Sequence, residues 1–118
     1  MSAVSLKLLV LRTPQVDRLW AFYQALGIEM AEEKHGNGPV HYAGKVGDVV
    51  LEVYPLPDGG EVADTTTRLG FAVGKLGEVV QALRESGAAI AGEPKQTAWG
   101  LRAVVRDPDG RAVDLYQR

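Results

Sequence analysis

The chain says the same thing twice. Leu8-Leu9-Val10-Leu11, Val16 to Tyr23 and Leu26-Gly27 are answered roughly sixty residues later by Arg68-Leu69-Gly70-Phe71, Leu76 to Leu83 and Ser86-Gly87. In each half a short apolar run precedes a helical stripe, and a glycine stops the stripe. The halves also close alike. Val50-Leu51-Glu52-Val53-Tyr54 is echoed by Ala112-Val113-Asp114-Leu115-Tyr116, so one carboxylate occupies the same point of each last strand. Two equivalent modules facing each other enclose a site, and that constrains the fold more than any single residue does.

Local signals give each module the order β-α-β-β-β. Leu6 to Arg12 predicts a strand, and Thr13-Pro14 supplies an N-cap with proline at the first helical position. Val16, Leu19, Trp20, Tyr23 and Leu26 form one apolar stripe, which places Trp20 in the core, and Gly27 ends the helix. Ile28 to His35, Pro39 to Gly44 and Val49 to Tyr54 predict strands, separated by turns at Gly36-Asn37-Gly38 and Lys45 to Asp48. Residues 56–65, rich in Pro, Gly and Asp, read as a linker, dividing one domain of 118 residues into modules 1–55 and 66–118. In the second module Arg68 to Val73 predicts a strand, and Leu76, Val79, Val80 and Leu83 a helix ended at Gly87. Ala88 to Gly92, Trp99 to Arg106 and Arg111 to Gln117 follow as strands, the last two joined by a tight Asp107-Pro108-Asp109-Gly110 turn.

Composition narrows the function classes. With 46% hydrophobic and 24% charged residues, net charge −2 and no block of like charges, the chain is expected to be a soluble globular protein. Nucleic-acid and membrane partners are not indicated, and a cytoplasmic location is expected. The absence of cysteine excludes disulfides, thiolate nucleophiles and Cys-ligated metals.

Strand alternation sorts the side chains into two faces. Leu9, Leu11, Leu51, Val53, Leu69, Phe71, Val73, Val113 and Leu115 are expected on the helix side. The opposite face carries Leu8, Val10, Arg12, Val50, Glu52, Tyr54, Arg68, Gly70, Ala72, Ala112, Asp114 and Tyr116. This mixture of apolar, aromatic and charged groups suits a small-molecule pocket.

Ala21-Phe22-Tyr23 followed by Leu26-Gly27, and Trp99-Gly100-Leu101-Arg102 followed by Asp107-Pro108-Asp109-Gly110 and Val113-Asp114-Leu115, resemble the vicinal oxygen chelate superfamily. That superfamily contains glyoxalase I, bleomycin-resistance proteins, extradiol dioxygenases and fosfomycin-resistance proteins, and the resemblance runs from Leu6 to Tyr116. It implies an α+β fold in which two βαβββ modules form a curved mixed sheet around a central cavity, with the helices outside. It also implies a homodimer. The linker permits the modules to pair within one chain or to swap between chains.

Metal-dependent members hold a divalent ion with one residue from the first and one from the last strand of each module. The matching positions are Leu8, Glu52, Arg68 and Asp114. Leu8 has no lone pair, and Arg68 carries a fixed positive charge. A guanidinium about 4 Å from a divalent ion, at an effective dielectric near 20, is repelled by roughly 8 kcal/mol. A slip of one residue brings Leu69 to the position, which also fails as a ligand. No metal or other cofactor is therefore expected. His35 is expected as an exposed turn residue and His41 as an ordinary sheet residue.

Glu52, Arg68 and Asp114 admit two readings: a structural charge cluster, or a polar site in which Arg68 grips a carboxylate or phosphate, or Glu52 and Asp114 grip a cation. Trp99 reads either as packing or as a stacking wall for a ligand, and Tyr54 and Tyr116 as caps at the sheet ends. The expected function is a metal-independent small-molecule binding protein of the glyoxalase/bleomycin-resistance type. Its ligand would be held by Glu52, Arg68, Asp114, Trp99 and Tyr54, with no catalytic residue assigned. The alternative is a glyoxalase- or dioxygenase-like lyase or oxidoreductase, metal-dependent or using Glu52 or Asp114 as base. A dimeric scaffold with a vestigial cavity is a third class.

Overall fold

In the computed structural model, which describes residues 3–118, strand β1 (Leu8–Thr13) leads into helix α1 (Val16–Leu26). Met1 and Ser2, assigned to the first module by the sequence, lie outside the described residues. Strands β2 (Ala31–Glu33), β3 (His41–Val46) and β4 (Val49–Pro55) complete the first module. The second repeats the plan with β5 (Leu69–Val73), α2 (Leu76–Glu85), β6 (Ala89–Thr97), β7 (Gly100–Arg106) and β8 (Ala112–Gln117). Each module forms a four-stranded sheet, in the orders β1-β4-β3-β2 and β5-β8-β7-β6. In both, the first strand runs parallel to the last and the remaining pairs are antiparallel.

The α+β fold of paired βαβββ modules is the one the sequence predicts. Leu11, Leu51, Val53, Leu69, Val73, Val113 and Leu115 are buried on the helix side, with Leu9 and Phe71 packed against them. The two helices touch each other, so a single core spans both modules. Fully burying each such aliphatic side chain contributes about 1.5–3 kcal/mol. Helices cover one face of each sheet, and the sheets stay unclosed within one chain: no strand of one pairs with a strand of the other among the described residues.

Helix α1 begins later than Thr13-Pro14 predicts. Its N-cap is Gln15, and Thr13 remains in β1 with its hydroxyl accepting the Gln15 N–H at 3.0 Å. Both predicted glycine stops hold, because Gly27 at φ +119° and Gly87 at φ +92° take left-handed conformations that other residues rarely adopt. Trp20 is only partly buried, stacks on Tyr42 at 4.4 Å and donates its indole N–H to the Met30 carbonyl.

The predicted second strand, Ile28 to His35, shrinks to Ala31–Glu33. Ile28 and Met30 turn into the core instead, and their N–H groups bond to the Tyr23 carbonyl and the Gln24 side chain. The crossing is close: a Cβ on Gly44 would lie 2.2 Å from the Glu29 carbonyl oxygen. Strand β3 runs on to Val46, leaving a two-residue turn at Gly47-Asp48, with Gly47 at φ +59°. Strand β6 is longer than predicted because register shifts around Gly92 let it continue alongside β7 to Thr97.

Candidate functional site

The face of each sheet turned away from the helices carries the predicted site residues. On the second sheet Asp114 is the centre. It lies opposite Gly70 on β5 and Val104 on β7. Arg68 Nη2 and Arg102 Nη2 both donate to its Oδ2 at 3.0 Å, and the Tyr116 hydroxyl donates to the same oxygen at 3.3 Å. The carboxylate is nearly buried, whereas the Arg68 side chain is 62% exposed. Burial opposes ionisation of Asp114, but the hydrogen bonds from Arg102 and Arg68 prevail and hold its carboxyl below the usual carboxylate range.

Strand register fixes the correspondence between modules. Val10 pairs with Glu52 and Gly70 with Asp114, so Leu8 and Arg68 each stand two residues before the partner of the closing-strand carboxylate. Arg68 is thus the module-two equivalent of Leu8, with no slip. The four positions do not fit a metal: Leu8 has no donor atom, and the Arg68 guanidinium lies on the Asp114 carboxylate.

On the first sheet a row of side chains crosses all four strands. Arg12 on β1 lies opposite Tyr54 on β4, and Glu33 on β2 opposite His41 on β3. The Arg12 guanidinium sits 5.4 Å from the Tyr54 ring centroid, and that ring stacks on His41 at 4.0 Å. The Tyr54 hydroxyl is 3.2 Å from His41 Nε2, and Glu52 Oε2 is 3.9 Å from the same nitrogen.

The structure therefore brings Arg68 and Asp114 together and sets Glu52 beside His41. Among the described residues no ion pair joins Glu52 to Arg68. Trp99 sits at the tip of the β6–β7 hairpin, 85% exposed. Sequence reasoning missed two participants. Arg102 reaches Asp114 diagonally from a position opposite Tyr116, a register that no local pattern encodes. His41 is a residue of β3, as expected, but it is 1% exposed and lies beside Glu52, and its alternation with Ala43 opposite Glu52 was the available signal. A groove of about 400 Å³ beside α1 is lined by Arg18, Phe22, Ser86 and Arg106 on the helix side, away from both clusters.

Paired modules whose closing strands carry matched carboxylates define a class, and comparison with known proteins gives it a name. The sequence profile of the Glyoxalase/Bleomycin resistance protein/Dioxygenase superfamily matches residues 5–115, and the chain belongs to this family. Its fold is similar to that of TnmS3, an antibiotic binding protein from Streptomyces sp. CB03234, with a TM-score of 0.77, 22% identity and coverage of 99% of this chain and 98% of that one. A glyoxalase/bleomycin resistance protein from the same organism gives 0.73, 22%, 96% and 100%. Among curated proteins the chain is similar to CD-NTase-associated protein 12 of Lachnospiraceae bacterium (strain RUG226), 37% identical over 59 residues. That match covers 48% of this chain and 19% of the relative's length. No helix among the described residues is long and apolar enough to cross a membrane.

Proposed function

We propose that this chain binds a small organic ligand bearing an anionic group and an aromatic ring, without a metal at the four family positions. The observation that carries the reading is the charge imbalance at Asp114. Two guanidiniums converge on one carboxylate oxygen, which leaves a positive charge in surplus on an open sheet face. A carboxylate or phosphate on the ligand pairs with this surplus charge through the exposed Arg68 guanidinium, and Tyr116 offers a flat surface for a ring, with Tyr54 at the edge of the pocket.

The other half of the pocket comes from a second copy of the chain. In this homodimer the first sheet of one protomer faces the second sheet of its partner, bringing Glu52 and Tyr54 opposite Arg68 and Asp114. Leu6 and Leu8, 63% and 51% exposed, are apolar surface that such pairing covers. Trp99 serves as a wall at the rim. Similarity to an antibiotic binding protein agrees with ligand capture, although one fold carries many functions. Asp114 is ill suited to be a base, since its lone pairs are engaged by three donors and its carboxyl is held ionised.

Tryptophan quenching with a panel of polycyclic aromatic carboxylic acids and their methyl esters tests the reading. The acids are expected to saturate, the esters to bind at least about tenfold more weakly, and Arg102→Ala to erase the difference. Equal affinity for acid and ester, or no saturable binding by any acid, overturns it. A sedimentation run showing only the 12.7 kDa monomer at micromolar concentration removes the paired-sheet pocket.

A further inference from the structure

Away from Asp114, the β2–β3 hairpin gathers both histidines of the chain around a carboxylate. Glu33 Oε1 lies 3.4 Å from His35 Nε2 and 3.4 Å from His41 Nε2, and the three donor atoms all fall within 4.8 Å of one another. Two metal–ligand bonds of about 2.0–2.1 Å at a tetrahedral angle separate their donor atoms by about 3.3–3.4 Å. Two of the three edges already have that length. His35, whose side chain is 73% exposed beside the Gly36 turn, is free to swing through the remaining gap.

The buried histidine is prepared for this role by its surroundings. His41 Nδ1 lies 3.2 Å from the Pro39 carbonyl oxygen, an atom that only accepts, so the ring proton belongs on Nδ1 and Nε2 presents a lone pair. Stacking on Tyr54 fixes the plane of the ring. That lone pair then faces Glu33 Oε1 at 3.4 Å and Glu52 Oε2 at 3.9 Å. The two carboxylates gathered beside this nitrogen make an anionic surrounding that a bound cation stabilises. A metal ion placed among them neutralises this charge and employs His35 as well. Tyr54 donates its hydroxyl to Nε2 and would release that bond to the metal.

We propose that the β2–β3 hairpin binds one divalent first-row transition metal of the Zn²⁺ class through Glu33, His35 and His41, with Glu52 within reach as a fourth ligand. Imidazole with carboxylate is the donor set that such ions prefer over Mg²⁺ or Ca²⁺. Glu33, His35 and His41 lie outside the four family positions, and the three of them form the site without the Arg68–Asp114 cluster; Glu52 is the residue shared with the ligand pocket.

Untagged, chelator-stripped protein titrated with Co²⁺ and followed by visible d–d absorption tests the assignment. One ion per chain is expected, displaced by Zn²⁺. Glu33→Gln and His35→Ala should each weaken Co²⁺ by about tenfold or more, and Asp114→Asn should leave it unchanged. Both substituted side chains are partly or largely exposed, and circular dichroism verifies that the variants fold. Absence of a saturable spectrum overturns the proposal, as does a spectrum that either variant retains at full affinity or one that only Asp114→Asn removes.

Discussion

The Arg111 guanidinium and the Asp107 carboxylate lie 3.1 Å apart, and both side chains are sealed from water. Their contact pins more than the tight turn that joins β7 to β8. Arg111 Nη2 donates to the Arg12 carbonyl of β1 at 2.9 Å, and the Tyr23 hydroxyl of α1 donates to Asp107 at 3.1 Å. Gln15 adds bonds to the Pro108 carbonyl and to Asp109. The turn of the second module is thus the clasp that holds the first. Burial, reinforced by Asp107, pushes the Tyr23 hydroxyl above the ordinary phenol range, which keeps it a donor.

Removing either partner of this pair leaves the other charge buried. Asp107→Ala and Arg111→Ala are each expected to cost about 3–5 kcal/mol of folding stability, read from urea denaturation midpoints. The double variant should cost less than the two single losses added together, since Asp107 and Arg111 are then removed as a pair and only Asp109 loses its ion-pair partner. A loss below about 1 kcal/mol for Asp107→Ala would show that the clasp is dispensable.

Acid should act through Asp114. Its carboxyl is held below the usual range in the folded state and ionises near pH 4, about 3.9, when unfolded, so above that value the native state gains stability from the difference. That contribution is lost as the pH falls through the folded value. The Tm gap between the native protein and Asp114→Asn is therefore expected to be widest above the unfolded value and to narrow as the pH falls below it. A gap that stays constant across this range contradicts the coupling to Arg68 and Arg102.

Gly44 permits the chain after α1 to cross the sheet. Its Cβ would meet the Glu29 carbonyl oxygen at 2.2 Å and Met30 Cγ at 3.0 Å, and the first of these is backbone. Gly44→Ala is expected to destabilise the protein by about 1–3 kcal/mol or more, measured by denaturant unfolding. Gly74→Ala, where a Cβ would meet nothing within 4 Å, is the control and should change stability little.

Much of the fold was legible because it rests on short-range periodicity. Val16, Leu19, Tyr23 and Leu26 read as one helix face, and Leu51 and Val53 as the inner face of a strand, because water sorts apolar side chains at spacings of 3.6 and 2. The glycine stops at Gly27 and Gly87 were equally readable, since a left-handed backbone position names its own residue. Boundaries failed where tertiary contacts competed. Ile28 and Met30 looked like strand residues and became core, their amide groups taken by α1.

The sequence by itself determined the repeat, the order of elements, the two faces of each sheet and the presence of one carboxylate on each closing strand. Only the tertiary structure decided which charges meet. Arg102 joins Arg68 on Asp114, Glu52 turns to His41, and Arg111 clasps the Arg12 carbonyl 99 residues away. Periodicity tells a side chain which way to face, because burial is a property of one residue and its solvent. A partner is a property of two, and it depends on strand register and module packing, which no local pattern carries.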